Sequence, residues 1–241
     1  NILPSDIYIK SKELHFNAEE CRVVFLIKFF GKSDVIPFDM VQNMFPDKNK
    51  DFVFNITEND IVLVKEVKNN IDVRDLEKLA RSISDTLSSE FFTKVNVGIG
   101  TPVVGVKDLA RSFKEAQTAL EVGKVFDTDK NIVSYDNLGI ARLIYHLPTT
   151  LCETFLKEVF KKNSIESLDH ETLFTIQKFF ENSLNVSETS RKLFVHRNTL
   201  VYRLDKIKKL TGLDLREFDH AIIFKIALMV KKYLAANPTK F

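Results

Sequence analysis

The N-terminal half of the chain alternates between short apolar runs and amphipathic segments. Four runs rich in Val, Ile and Phe, bounded by polar or turn residues, predict β-strands at 22–30, 51–56, 60–67 and 94–100. Apolar residues at helical spacing predict helices at 38–45, 72–89 and 107–123. Asp72 suits the start of the second of these helices, and Gly123 suits the end of the third. The order of elements predicts a ferredoxin-like α+β domain, with helices on one face of a mainly antiparallel sheet.

The strand pattern stops after Tyr135. Beyond it, helical spacing of apolar residues predicts six helices, at 138–147, 149–162, 171–183, 187–193, 196–210 and 219–234. We therefore predict two domains, an α+β domain over 1–136 and an all-helical domain over 137–241. The last helix is apolar around much of its surface, so it either closes the helical core or packs on a partner.

Two of the predicted helices have the spacing of a helix-turn-helix, over 187–210. Ser187 can cap a short first helix, and Phe194 with Val195 makes a tight turn. A second, longer helix then opens at His196 or Arg197. A short helix, a turn of three or four residues and a longer basic helix form the arrangement in which the second helix enters the major groove of DNA.

A helical wheel divides the second helix into an apolar and a polar face. Leu200, Leu204 and Ile207 fall within one narrow arc, with Asn198 and Tyr202 roughly opposite. A solvated face usually carries Glu and Lys at paired spacing, whereas Asn, Thr and Tyr occur here near the helix N-terminus. That composition favours a surface that reads a nucleic acid, and a solvated face is the alternative.

The charge of the chain is unevenly distributed. The net charge is +2, but residues 171–241 carry thirteen basic and seven acidic residues, a net +6, while 1–170 carry 22 basic and 26 acidic residues, a net −4. Within 187–209 there are seven Lys or Arg residues and two acids. A basic cluster on an otherwise mildly acidic chain indicates a polyanionic partner.

The residue types on the polar face suggest a role for each contact. Arg can bond guanine and Asn can bond adenine bidentately. We therefore expect base contacts from Arg197, Asn198 and Tyr202. Phosphate contacts are expected at the following positions of the same helix: Thr199, Arg203 and Lys206.

Some of these side chains have a structural alternative. His196 belongs to the expected DNA-binding set, but it can equally serve as the cap of the helix. Arg203 lies beside the apolar arc, so it can instead form an ion pair, with Glu188 as the candidate. Lys208 can be solvated only. Asp205 on the outward face would repel phosphate, so we expect the far end of the helix to lift away from the duplex.

The bulk composition is that of a water-soluble globular chain, with 44% hydrophobic and 28% charged residues. No window has the ~18 uninterrupted apolar residues that a membrane helix requires, and 1–20 has no apolar core of a signal peptide. Cys21 and Cys152 lie far apart, which indicates two buried thiols in a reducing compartment. Since the chain begins at Asn1, we expect it to be part of a longer protein.

Several segments resemble one known family. The sequence "NVSETSRKLFVHRNTLVYRLDKIKKLTGLDLREFDHAIIFKIALMVKKYL" at 185–234 resembles the C-terminal helix-turn-helix of the PucR-like regulators, and is closest to their carbohydrate (sugar) diacid regulator branch, the CdaR type. The segments "VNVGIG", "LARSFKEAQTALEVGKVF" and "NIVSYDNLGIARLI" resemble the GGDEF-like domain of the same family. Ser190 departs from the family, which usually has Ala there, and its hydroxyl can bond back to the helix.

The resemblance implies a cytoplasmic transcriptional regulator, often an activator of a catabolic operon, that binds double-stranded DNA as a homodimer. It also implies a small-molecule effector sensed by an N-terminal domain, which this chain is too short to include. The degenerate GGDEF-like domain would then serve dimerisation or signal relay. No cofactor and no membrane contact is expected.

A signalling enzyme or nucleotide-binding module acting through protein partners is the rival hypothesis. An active diguanylate cyclase needs a Gly-Gly-Asp-Glu-Phe turn, whereas the matching hairpin here, "NITENDI" at 55–61, has no glycine. The segment "GTPVVGVK" misses the phosphate-binding loop because Val106 stands at the lysine position. The five histidines have no metal-ligand spacing. We therefore expect no catalysis.

Overall fold

The structure is a computed structural model that describes residues 4–13, 17–30, 37–160 and 168–237. Its internal contacts divide the chain into two compact units, Asn1–Arg142 and Leu143–Phe241. The loss of strand pattern places our predicted boundary six residues earlier, and the limits of the functional domains stay a prediction. Each unit is described separately.

The first unit contains a six-stranded sheet. Its elements in chain order are α1 Pro4–Glu13, β1 Cys21–Phe30, α2 Pro37–Met44, β2 Phe52–Thr57, β3 Asp60–Glu66, α3 Val73–Phe91, β4 Lys94–Ile99, β5 Val103–Val104, α4 Leu109–Phe126 and β6 Ile132–Ser134. The strand order is β2-β3-β1-β4-β6, with β5 on β1. Strand β1 is antiparallel to β3 and β4, while β4 and β6 are parallel. This confirms the α+β class and the mainly antiparallel sheet.

The helices cover both faces of the sheet, so the prediction that they share one face is wrong. Phe25 and Ile27 of β1 pack with α2 and α3 in one core, whereas Val24 and Leu26 pack with α4 in another. Strand β1 is therefore apolar at nearly every position rather than at alternate ones. Glycine allows α4 to approach closely, because a Cβ on Gly98 would lie 2.2 Å from the backbone oxygen of Ala116.

Two predicted helix ends differ in the first unit. Asp72 caps α3 as predicted, accepting a 2.8 Å hydrogen bond from the backbone N–H of Arg74. Gly123 does not end α4, which continues to Phe126. A Cβ at Gly123 would lie 2.7 Å from a methyl carbon of Val133, so this glycine is required by packing and not by a turn.

The described residues of the second unit form helices and their connections. Helix α5 Ile140–Tyr145 crosses the division, and α6 Thr149–Val159, α7 His170–Glu181, α8 Val186–Lys192, α9 Arg197–Thr211 and α10 Phe218–Ala236 follow. The predicted helix at 149–162 ends at Val159, and its last two positions lie outside the described residues. Helix α10 closes the core, which is the first of its two predicted alternatives, with these residues buried: Ala221, Phe224, Ala227, Val230 and Tyr233. Both cysteines are buried free thiols, and burial raises their pKa.

Candidate nucleic-acid interface

Helices α8 and α9 form the predicted helix-turn-helix. The first helix begins earlier than expected, because Asn185 and not Ser187 is its cap. The side-chain oxygen of Asn185 accepts a 2.9 Å hydrogen bond from the backbone N–H of Glu188. Asn and Ser are both good N-cap residues, so the sequence alone did not separate them. The Ser190 hydroxyl donates to the backbone oxygen of Ser187 at 3.0 Å, which confirms its predicted bond back to the helix.

A four-residue turn, 193–196, joins the two helices. His196 caps α9 as its structural alternative predicted, since its Nδ1 atom accepts from the backbone N–H of Asn198 at 3.3 Å. Phe194 within the turn has a positive φ of 55°. The cap and the turn together fix where the first turn of α9 begins.

The inner face of α9 anchors it in the unit. Leu200, Leu204 and Ile207 are completely buried, as the wheel predicted. They belong to one apolar cluster with residues of α7 and α10, among them Ile176, Phe179 and Phe224. The opposite face is therefore held in a fixed orientation towards solvent.

The outer face at the start of α9 carries polar side chains that are exposed. These are Arg197, Asn198, Thr199 and Tyr202, and the last is 71% exposed. In the part of the chain that the structure describes, none of these four side chains makes a hydrogen bond or an ion pair. We call these four residues the reading patch. Their donors and acceptors are free to bind an external ligand.

The two other predicted phosphate contacts are held by α7. Arg203 donates to Glu171 and to the hydroxyl of Thr175, the latter at 3.2 Å. Its predicted partner, Glu188, pairs instead with Arg191. Lys206 pairs with Asp169 at 3.1 Å. The two cations are thus partly neutralised inside the unit.

The carboxylate of Asp169 also caps α7, accepting a 2.7 Å bond from the backbone N–H of Thr172. Hydrogen bonds from Thr172, and then from Lys206, lower the pKa of Asp169 to about 2. The carboxylate that faces Lys206 is therefore charged at any physiological pH.

The far end of α9 is tied to the loop before α10. Asp205 pairs with Arg216 at 2.8 Å, and Lys208 pairs with the buried Asp214 at 3.1 Å. Arg216 also donates to Asp214, and this hydrogen bond is the main cause that lowers the pKa of that carboxyl below its usual range. Sequence reasoning missed Arg216, because nothing in the spacing places it opposite Asp205. The acid we expected to repel phosphate already has a cation beside it.

The charge distribution along the helix-turn-helix favours an anionic ligand at the reading patch. Between Glu188 and Asp205 the sequence has no acid, and it contains four Arg or Lys residues. Of these, Lys192 and Arg197 are exposed and make no ion pair with any described residue. The start of α9 therefore presents a local positive potential.

The hairpin between β2 and β3 is where cyclase chemistry would take place. Asp60 follows the turn between β2 and β3 and pairs with Lys28 at 3.2 Å, while Glu58 is exposed. No group of three or more His, Cys, Asp or Glu side chains that could hold a metal occurs in the described ranges. Within the same ranges no helix is both long and apolar enough to cross a bilayer.

Comparison with known families and proteins gives two family matches and several relatives. Residues 172–230 match the PucR C-terminal helix-turn-helix domain, and residues 3–122 match the GGDEF-like domain. Together the two matched ranges cover most of the chain.

Three similar proteins are named regulators. The carbohydrate diacid regulator of Escherichia coli is 27% identical over 77% of this chain and 49% of its own length. The purine catabolism regulatory protein of Bacillus subtilis is 26% identical over 62% of this chain and 28% of its own. The DNA-binding transcriptional activator AdeR of Bacillus subtilis is 26% identical over 73% and 42%. The chain spans half or less of the length of these relatives.

Proposed function

The chain belongs to the PucR-like regulators, with a GGDEF-like domain and a PucR C-terminal helix-turn-helix domain, and we propose that it reads double-stranded DNA with α9 as a sequence-specific transcriptional regulator. One observation carries the proposal. Four exposed polar side chains without partners among the described residues stand on a helix whose opposite face is completely buried. A rigid helix with free donors and acceptors at its N-terminus suits the major groove.

Within the groove the reading patch divides into base and phosphate contacts. Arg197 suits the O6 and N7 acceptors of guanine, and Asn198 suits the N6 and N7 edge of adenine. Tyr202, one turn further along, is the third base contact. Thr199 suits a phosphate, and His196 lies at the same end of the helix, where its free ring edge can also meet the backbone.

Arg203 and Lys206 are the two proposed phosphate contacts that already pair with a carboxylate of the protein. Each has an acidic partner at the start of α7, Glu171 in the helix and its N-cap Asp169 respectively. A phosphate has to compete with that carboxylate, so each cation contributes less affinity than a free one. We propose that these two residues contact the backbone secondarily, after the reading patch has engaged the bases.

The role of the whole protein is proposed from its relatives. One relative is named a carbohydrate diacid regulator and another a transcriptional activator. We propose that this chain is the DNA-binding part of a cytoplasmic activator of a catabolic operon, with sugar-diacid utilisation as the first candidate. A homodimer on two half-sites and an effector-sensing domain outside this chain complete the proposal. The rival hypothesis is a degenerate nucleotide-binding or cyclase-like signalling module that acts through protein partners.

Fluorescence anisotropy across a salt series tests the proposal. The 241-residue chain is titrated against DNA upstream of its own gene and of neighbouring genes, with a random duplex as control. We expect preferential binding that weakens steeply with salt. Arg197→Ala should reduce affinity by about 5- to 150-fold, the range for one bidentate base contact. Arg81→Ala removes the same charge from an exposed position in the first unit and should leave affinity unchanged.

Two results would contradict the proposal. If Asn198→Ala and Tyr202→Ala leave both affinity and sequence preference untouched, α9 is not the reading element. If no duplex binds at low salt, a molar-mass measurement on the same sample decides between causes. A monomer indicates that dimerisation requires the proposed effector-sensing domain, whereas a dimer that does not bind DNA indicates a protein partner for the basic helix.

A further inference from the structure

Phe194, in the turn of the helix-turn-helix, is unfavourable in two separate ways. Its side chain is 96% exposed, so a large apolar ring faces water. Its backbone is in the left-handed region, with φ at 55°, which residues other than glycine, asparagine and aspartate seldom adopt. Packing in the core explains neither the position of the ring nor the backbone conformation.

The backbone conformation of this turn favours glycine at position 194. Helix α8 ends in a Schellman motif, in which the N–H of Phe194 donates to the oxygen of Arg191 at 3.1 Å and the N–H of Val195 donates to that of Ser190 at 3.0 Å. The residue after the cap in this motif is usually glycine. The chain uses glycine for the left-handed residue that ends α9, where Gly212 has a φ of 80°. The motif needs no ring at Phe194, since the ring makes no core contact.

The surroundings of Phe194 indicate an anionic partner. It precedes the His196 cap by two residues and Arg197 by three, so its Cα lies within about 11 Å of that of Arg197. Lys192 and Arg197, on either side of it, are exposed and form no ion pair with the described residues. An apolar ring framed by free cations matches the groove edge of DNA, where sugar carbons and thymine methyl groups lie between phosphates.

We propose that Phe194 is an apolar DNA contact that packs its ring on deoxyribose carbons or on a thymine methyl group, beside the bases that Arg197 and Asn198 read. The inference rests on the proposed function of α9 and adds a contact that hydrogen-bonding residues cannot make. Thymine and sugar contacts have the same apolar chemistry but a different dependence on sequence.

Phe92 provides a matched control within the same chain. It ends α3 in the left-handed region, with φ at 48°, and is 94% exposed. Phe92→Gly and Phe194→Gly therefore relieve the same backbone strain and remove the same exposed ring. We expect both variants to fold, each with a melting temperature equal to or about 2–4 °C above that of the wild type.

Affinity for the preferred duplex should separate the two variants. Phe194→Gly and Phe194→Asn should each weaken binding about tenfold, which corresponds to partial burial of a phenyl ring. Phe194→Tyr should retain most of the affinity, and Phe92→Gly should equal the wild type. The Asn variant tolerates the left-handed backbone without the freedom of glycine, so a loss in both variants excludes a loosened turn as the cause.

The duplex identifies the contacted group. Replacing thymine by uracil removes the methyl groups. If wild-type affinity then falls to that of Phe194→Gly, the contact is a thymine methyl; if the difference between the two proteins persists, the contact is the sugar. Equal affinity of Phe194→Gly and wild type on every duplex would overturn the inference while leaving the proposed function intact. Failure of the wild type to bind any duplex although it is dimeric in the same sample would overturn the proposed function itself.

Discussion

The two ends of α9 carry similar polar residues in different states. At the N-terminal end, Arg197 and Asn198 are exposed and unpaired within the described residues. In the C-terminal half, Arg203, Lys206 and Lys208 each hold an acid of the same unit. An exposed ion pair adds little stability, yet it lowers the positive charge available to a phosphate. The comparison teaches that position relative to neighbouring helices, and not residue type, decides which cation is available for DNA.

The largest expected effect is on stability, and it comes from a substitution in the buried face of α9, which supports both ends of the helix. Leu204→Ala opens a cavity in a completely buried position, so the free energy of unfolding of the second unit should fall by about 3 kcal/mol. Far-ultraviolet circular dichroism during urea unfolding measures the change. Lys209→Ala, exposed on the same helix, should change stability by less than about 0.5 kcal/mol. Equal effects of the two variants would show that α9 does not pack as described.

A smaller effect is expected where the C-terminal end is tied down. Asp214 is buried and accepts from both Arg216 and Lys208. Asp214→Ala leaves these donors without their partner, and we expect a loss of about 2 kcal/mol in the free energy of unfolding. Affinity for DNA at a temperature where the variant is folded should stay within about twofold of the wild type. A large loss of affinity in the folded variant would mean that the far end also contacts the duplex.

Comparison of the two arginines tests the contrast directly. Arg203→Ala removes the contacts with Glu171 and Thr175, so stability should fall by about 1 kcal/mol and affinity by less than about fivefold. Arg197→Ala should show the opposite pattern, with unchanged stability and the larger loss of affinity. Equilibrium unfolding and anisotropy on the same preparations measure both quantities. If both variants lose affinity for DNA equally with no change in stability, the proposed difference between the two ends of α9 is wrong.

Much of this arrangement could be predicted from the sequence. The apolar arc of Leu200, Leu204 and Ile207 and the order of the four predicted strands and the helices between them depend on local periodicity, and both are confirmed. Helix α1 and the short strands β5 and β6 are not predicted. Which face of the sheet each helix covers was not predictable, because β1 is apolar on both faces and its pattern does not distinguish them. Glu188, the candidate ion-pair partner of Arg203, is close to it in sequence, whereas the actual partner, Glu171, is close only in space. Long-range pairing depends on helix packing that no local spacing contains.

Asp169 at the start of α7 gives a prediction with acid. Its pKa is about 2 in the folded chain against an ordinary value of 3.8, because Thr172 and Lys206 donate to its charged form. Its contribution to stability is therefore complete above about pH 4 and is lost as pH falls through 2. Asp169→Asn still caps the helix but does not titrate. We expect the stability of the variant to fall less steeply than that of the wild type between about pH 4 and pH 2, as followed by acid unfolding.

The smallest expected effect is on the salt dependence of DNA binding, and it comes from the same substitution, Asp169→Asn. Asp169→Asn removes the anion that pairs with Lys206, so this lysine becomes as available to phosphate as Arg197 at the other end of α9. The dependence of log affinity on log salt should steepen by up to about 0.9, the value for one additional phosphate contact. Glu181→Gln is the matched control, because it removes one charge from the far end of α7, where Glu181 pairs with Lys178. An equal change in both variants would reflect net charge alone, whereas a change only in Asp169→Asn would show that an intramolecular pair sets how many phosphates α9 contacts.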